Sequence, residues 1–132
     1  MRNVVIDTNV VVSSIISPSG NPAKIINLLF SGTIQAILST SIIEEYKRVL
    51  SYKKLNIDST IKTELIDVIS GLGSMIEPSI SSIPLPDESD RIFYDAAKEA
   101  GATLITGNTK HFPAESFVMT PSDFLASLDH AG

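Results

Sequence analysis

A single carboxylate interrupts an apolar run near the N-terminus: Asp7, in VVIDTNVVVSSI, Val4 to Ile15. A charge removed from water is costly unless it is paired or faces a cation. Asp7 therefore either caps a local turn or belongs to a site that does chemistry. Other oxygen-bearing side chains fall where they could join it. Glu44 and Glu45 stand in STSIIEEYKRVL, Asp87, Glu88 and Asp90 in DESDRIFYDAAKEA, and Thr106 and Asn108 in LITGNTKHF. Three or four oxygen ligands converging from separate elements hold a hard divalent cation. Mg2+ takes one or two carboxylates directly and keeps several waters, and such waters can attack a phosphodiester. Acids gathered without a cation repel one another, and their pKa values rise.

Each of these residues also has an ordinary explanation. Asp7 alone is equally well a cap after a strand. Ser41 and Glu44 have capping-box spacing, which accounts for Glu44 without chemistry. Glu45, one residue on, faces about 100° away. DESD by itself reads as a solvated turn. His111 and His130 are isolated, with no partner at ligand spacing, so neither reads as a metal ligand. There is no nucleophile elbow, no Ser/His/Asp set and no phosphate loop, and Gly71 and Gly73 carry no nucleotide fingerprint.

What could bring the acids together is the order of elements. Asn3 to Ile6, Ile34 to Leu38, Ser74 to Glu77, Thr103 to Thr106 and Phe117 to Met119 read as short strands. Helices read over Ala23 to Phe30, with Pro22 before it and Gly32 closing it, from Ser41 to about Leu50, and over Ile57 to Leu72. In the last of these Ile61, Leu65, Val68, Ile69 and Leu72 share one face. A further helix runs from Arg91 to Ala100, ended by Gly101, and Thr120 and Pro121 open a final one. Ser17 to Pro22 and Ser79 to Ser89 are connections. Alternating strands and helices predict an α/β fold with a mainly parallel, buried sheet of about five strands. Ligands of such sheets bind beyond the carboxyl ends of the strands, where the strand order reverses. Asp7, Glu44, Glu45, Asp87, Asp90 and Asn108 all lie on strand-to-helix connections or the helix starts that follow, so the fold brings them to one rim.

Bulk properties narrow the class. The 132 residues suit one domain, and the 43% apolar content is spread along the chain, which excludes disorder. The net charge of −5 speaks against a general nucleic-acid binder, so any such contact is local. With no cysteine there is no disulfide and no thiolate chemistry, as in a reducing cytoplasm. No signal peptide is legible, and Val4 to Ile16 is too short to span a bilayer.

The stretches VVIDTNVVVSSI, SIIEEYKRVL and DESDRIFYDAAKEAGATLITGNTKHF, in this order and across nearly the whole chain, resemble the PIN-domain family. They look closest to its branch of toxin–antitoxin toxins, similar to VapC-type ribonucleases. The resemblance implies one domain over residues 1–132, with a three-layer α/β/α fold and Mg2+- or Mn2+-dependent endoribonuclease activity. It matches Asp7, Glu45 (followed by Tyr46) and Asp90 to the family acids, with Asp7 and Asp90 on the metal and Glu45 positioning a ligand or the attacking water. Asn9 would support the site and Asp87 would be an outer neighbour. Many members carry a fourth aspartate where this chain has Asn108, which offers an oxygen but no charge. Asp95 is a weaker substitute, more than a turn past Asp90.

Thr106 and Asn108 would hydrogen-bond substrate or the ion's waters. Lys47, Arg48, Lys53, Lys54 and Lys110 would meet RNA phosphates, though Lys53 and Lys54 read as well as a solvated face. The same resemblance implies an antitoxin covering the acidic rim, with an Arg reaching toward Asp7 and Asp90. It also implies a homodimer, for which the helices at Ala23 to Phe30 and Ile57 to Leu72 offer apolar surface. Two other readings stand beside it. One is a degenerate PIN domain that binds RNA or protein without cutting. The other is a haloacid-dehalogenase-type phosphatase, for which Asn9 occupies the place of the acid/base aspartate.

Overall fold

In the computed structural model, residues 2–131 are described, and side chains as far as residue 128, so the His130 side chain lies outside the described residues. The β-branched run Arg2–Ile6 forms strand β1, with Val4, Val5 and Ile6 buried on both faces, as in the centre of a parallel sheet. Strands β2 (Ile34–Leu38), β3 (Ser74–Met75), β4 (Thr103–Ile105) and β5 (Val118–Met119) complete it in the order β3-β2-β1-β4-β5, every pair parallel. The chain steps outward from β1 to β2 and β3, then crosses back to β4 on the other side. The strand order therefore reverses between β1 and β4.

Helix α1 (Thr8–Ile16) follows β1 after a single residue, α2 (Asn21–Phe30) leads to β2, and α3 (Thr40–Leu50) and α4 (Ser59–Leu72) join β2 to β3. Helix α5 (Arg91–Ala100) precedes β4 and α6 (Pro121–Ala131) ends the chain. Helix α5 packs on β1, β2 and β4, whereas α2 and α4 pack on β2 and on each other, with α6 against α2. The result is the expected three-layer α/β/α fold with a five-stranded sheet.

One helix has no counterpart among the expected elements, and three local readings need correction. The apolar run after Asp7 is a helix, α1, which turns Val10 and Val11 into the core. Its Val-rich composition gives no helical signal, and packing decides. The cap of α3 is Ser39, whose hydroxyl accepts from the Ile42 amide at 3.2 Å, not Ser41, and no Glu44 capping box forms. Glu44 is exposed instead. On α4 the residues turned inward are Ile66 and Ile69, while Ile61, Val68 and Leu72 are exposed, so the core-facing stripe is rotated from the expected one. Finally, β3 and β4 each stop short of their predicted ends, at Met75 and Ile105.

Gly73 joins α4 to β3 with an ordinary negative φ, and it is needed for space. A β-carbon there would stand 2.3 Å from Leu38 Cδ1 and 3.0 Å from its Cγ, and Leu38 is itself only 1% exposed. Overpacking a close core contact costs about 1–3 kcal/mol. Gly73→Ala is accordingly expected to lower stability by about that amount in chemical denaturation, and an unchanged midpoint would contradict the tight contact.

Candidate active site

Asp7 is the residue between β1 and α1, at the reversal point. Its backbone N–H donates to Ile105 O at 2.9 Å, which stitches the ends of β1 and β4 together. It occupies the N-cap position of α1, yet its side chain makes no capping hydrogen bond. Oδ2 instead accepts from the Thr106 hydroxyl at 2.8 Å. The residue is 6% exposed. Burial raises its pKa, and the Thr106 bond and the nearby Thr8 and Asn9 amides only partly oppose that.

Thr106 is fully buried, and its hydroxyl also accepts from the Asn108 amide at 3.1 Å. Its hydroxyl thus links Asp7 to the Asn108 backbone. Asn9 bridges the same two strand ends, its Oδ1 accepting from the Gly107 amide at 3.2 Å.

Asp90 closes a short 3₁₀ turn, Glu88–Asp90, that runs directly into α5. Its side chain is 14% exposed, and its Oδ2 is buried without a hydrogen-bond partner. Burial first, then the charges of Asp7 and Asp87, push its pKa up to about 6, while His111 pulls the other way. Glu45, on α3, adds a smaller push. These four carboxylates thus share one field at the sheet's carboxyl edge.

The supporting residues differ in how free they are. Asp87 caps the 3₁₀ turn, its Oδ1 accepting from Ser89 N at 2.9 Å and Ser89 Oγ at 2.8 Å, which lowers its pKa. Glu45 is held by Arg48, whose Nη2 lies 2.7 Å from both carboxylate oxygens. Arg48 also bonds the Tyr52 hydroxyl, and Lys54 sits over the Tyr52 ring, so part of the expected basic patch is engaged within the chain. Tyr46, beside Glu45, donates its buried hydroxyl to Ile6 O at 2.5 Å and stacks on Phe93 of α5, which fixes α3 against β1 and α5.

Asp95 is not part of the rim. It is buried on α5 and accepts from the Ser81 amide at 3.0 Å and the Ser81 hydroxyl at 2.5 Å. Arg91 adds bonds to Ser81 O and Ile83 O, both at 2.8 Å. Together they tie the 79–89 connection to α5. A cavity of about 360 Å³ lined by Ser39, Glu77, Arg91 and Asp95 lies there, and neither Asp7 nor Asp90 reaches it.

His111 is the residue the sequence reading set aside and the fold brings in. Its Nδ1 lies 3.5 Å from Asp90 Oδ2, and its Nε2 lies 2.9 Å from the Asn108 amide nitrogen. The only sequence signal was its place three residues after Asn108.

Among the described residues, no group of three or more Asp, Glu, His or Cys side chains is placed to hold an ion. A hard cation that keeps most of its waters needs only one or two carboxylates. The unpartnered Asp90 Oδ2 and the desolvated Asp7 fit that demand. Charge, burial and donor type at these two residues suit a divalent cation.

Comparison with known proteins bears on the family and the fold. A family model described as PIN domain matches residues 3–110. An uncharacterized protein of Methanocaldococcus jannaschii is 33% identical over 108 residues, covering 80% of this chain and 70% of that protein. Among solved structures, VapBC2 from Rickettsia felis, bound to a DNA fragment from its promoter, matches with a TM-score of 0.56 at 18% identity. That match covers 84% of this chain and 93% of the other. At that identity it shows a shared fold.

Proposed function

The chain belongs to the PIN-domain family, and from that premise we propose that it is a divalent-cation-dependent endoribonuclease and the toxin of a toxin–antitoxin pair. The observation that carries the reading is Asp90 Oδ2, buried and unpartnered beside the charges of Asp7 and Asp87. Such a cluster is relieved at neutral pH when a cation joins it.

Asp7 and Asp90 are the residues that would hold Mg2+ or Mn2+. Bound there, the ion supplies a water of lowered pKa and offsets charge on the scissile phosphate. Thr106 fixes one Asp7 oxygen and leaves the other for the ion. Asn9 keeps the β1 and β4 ends in register, and Asn108 holds Thr106 and His111 in place. Glu45 would orient the attacking water, and Arg48, paired with Glu45, would meet an RNA phosphate. Asp87 acts through its charge on Asp90.

An antitoxin segment over this rim, a homodimer and a cytoplasmic setting belong to the same proposal. The VapBC2 likeness and the absence, among the described residues, of any helix long and apolar enough to cross a membrane are consistent with it. A second reading, a PIN domain that binds RNA without cutting, is favoured by one observation: the Asn108 amide is spent on His111, with no fourth carboxylate at that place. The phosphatase reading has no acid/base, since Asn9 is bound to the Gly107 amide.

The deciding experiment is incubation of a mixed RNA pool with the protein in Mg2+ or Mn2+, then in EDTA, then with the ion restored. Cutting that follows the ion supports the nuclease. Cutting indifferent to EDTA overturns the cation role, and tight ion binding without cutting selects the binding module.

A further inference from the structure

We propose that Tyr52, with the lysines around it, is a base-stacking subsite for single-stranded RNA beside the acidic rim. The inference rests on the RNA part of the reading above and needs no bound cation. The chain is acidic as a whole, yet five of its ten Lys and Arg residues, Lys47, Arg48, Lys53, Lys54 and Lys62, fall between positions 47 and 62. One acid lies among them, Asp58, and it is taken up in capping α4, where it accepts from the Thr60 amide at 2.8 Å. A cleft of about 330 Å³ opens between the end of α3 and the start of α4, with Tyr52, Lys53, Asn56 and Lys62 in its lining. Lys62 leans across from α4 and donates to Ser51 Oγ at 3.0 Å. A local positive groove on an acidic protein is a track for a phosphate backbone.

Tyr52 gives this groove what lysines alone lack, a flat aromatic face. Tyr46 and Tyr94 are 2% and 1% exposed, whereas Tyr52 is 37% exposed. Its ring is also held in place. Arg48 Nη1 donates to its hydroxyl, and Lys54 Nζ lies 5.7 Å from the ring centroid. Both cations are on exposed side chains, so each can meet a phosphate beside a base stacked on the ring. The same guanidinium bonds both Glu45 oxygens through Nη2 at 2.7 Å. Glu45, Arg48 and Tyr52 therefore form a line along α3, at spacings of three and four residues that share one helix face. At about 1.5 Å of rise per residue the line covers about 10 Å. A strand crosses that distance in a few bases at about 3.4 Å each. RNA with a phosphate at the rim thus lays a base a few positions away on Tyr52. Stacking accepts any base, since every base has a π face. A base paired within a duplex cannot offer that face, so the subsite selects unpaired RNA and not a sequence.

The test is binding by the full chain in EDTA, where no cation-dependent turnover intervenes. The probes are a short oligoadenylate, an abasic strand of the same length, a duplex RNA and an oligoglutamate. The chain has no tryptophan, so its ultraviolet emission comes from tyrosine, and Tyr52 is the accessible one. Oligoadenylate is expected to quench that emission and to bind more tightly than the abasic strand or the duplex. Tyr52→Ala should weaken oligoadenylate binding at least about fivefold, the scale of one lost stack, and bring it level with the abasic strand. Tyr52→Phe, which loses only the hydroxyl that meets Arg48, should bind like the wild type. Replacing Lys53 and Lys62 by Gln should flatten the log–log salt dependence by about 0.7 for each charge removed. Tyr52 is exposed and lies past the end of α3, so neither of its substitutions threatens the core. An abasic strand bound as tightly as oligoadenylate, or a Tyr52→Ala protein that binds like the wild type, overturns the stacking site. Tighter binding of duplex overturns it as well, as does the failure of every strand to bind. Oligoglutamate bound as tightly as RNA replaces it with an acidic protein partner. Ion-dependent cutting of the RNA pool, measured on the same wild-type protein, decides the nuclease reading separately, so the two can fail apart.

Discussion

Asp7→Asn is expected to reduce ion-dependent RNA cleavage by about 10³-fold or more while leaving the protein folded and more stable at neutral pH. An ion of this kind contributes several kcal/mol of transition-state stabilisation, and about 4 kcal/mol is 10³ in rate. Asparagine keeps the size of Asp7 and an oxygen for the Thr106 hydroxyl, so the 2.8 Å bond survives. What disappears is a charge at a residue only 6% exposed, and with it one of the repulsions on Asp90. Single-turnover cleavage and thermal unfolding at pH 7, run on the same preparations, separate the effects. Lost activity together with lost fold would make Asp7 a structural residue, and activity within tenfold of the wild type would remove it from the ion.

The second large effect needs no ligand. In EDTA the protein is expected to lose stability as pH rises from about 4 to 6. Asp90 holds its proton up to about pH 6 in the fold, against 3.8 as its ordinary value. In that window the folded state binds more protons than the unfolded one, so unfolding free energy falls with pH. The cost is absent below about pH 4 and complete above about 6. A rise of that size corresponds to as much as about 3 kcal/mol, reduced by solvent contact to the order of 2. Asp7, also raised, adds in the same sense, whereas Asp87 is lowered and acts oppositely, below its ordinary range near 3.8. Unfolding by urea between pH 4.5 and 8 should show the slope in the wild type and a shallower one in Asp90→Asn. Parallel curves would mean that Asp90 does not titrate as its surroundings require.

Much of the architecture was legible because the signals were local. The β-branched strands, Gly101 in the left-handed region at the end of α5, and Thr120 capping α6 all act within a few residues. So was the rim, since Asp7, Asp90 and Asn108 follow strand ends or open helices whatever the detail of packing. What escaped was set by contacts distant in sequence. Helix α1 gives no local signal, because its Val-rich run is held helical by packing on α2 and α3, which buries Val10 and Val11. The inward face of α4 depends on where β2 and α2 meet it. The burial of Asp95 depends on Ser81, fourteen residues away, and nothing near either residue announces the pairing. His111 looked solitary because its partner Asp90 is twenty-one positions earlier and reaches it only across the β3 to β4 crossover.

The clamp on the 79–89 connection has a consequence for binding entropy. Ser79, Ser81 and Ile83 are each fastened to α5, through Glu99, Asp95 and Arg91. The connection therefore loses its conformational freedom when α5 docks on the sheet, at a cost of roughly 1–2 kcal/mol per residue borne by folding. On the nuclease reading, an ion or RNA strand would meet a segment already ordered, and little further freedom would be lost on binding. Release would then not wait for a loop to open: exchange at this rim would be set by the bonds to the carboxylates themselves.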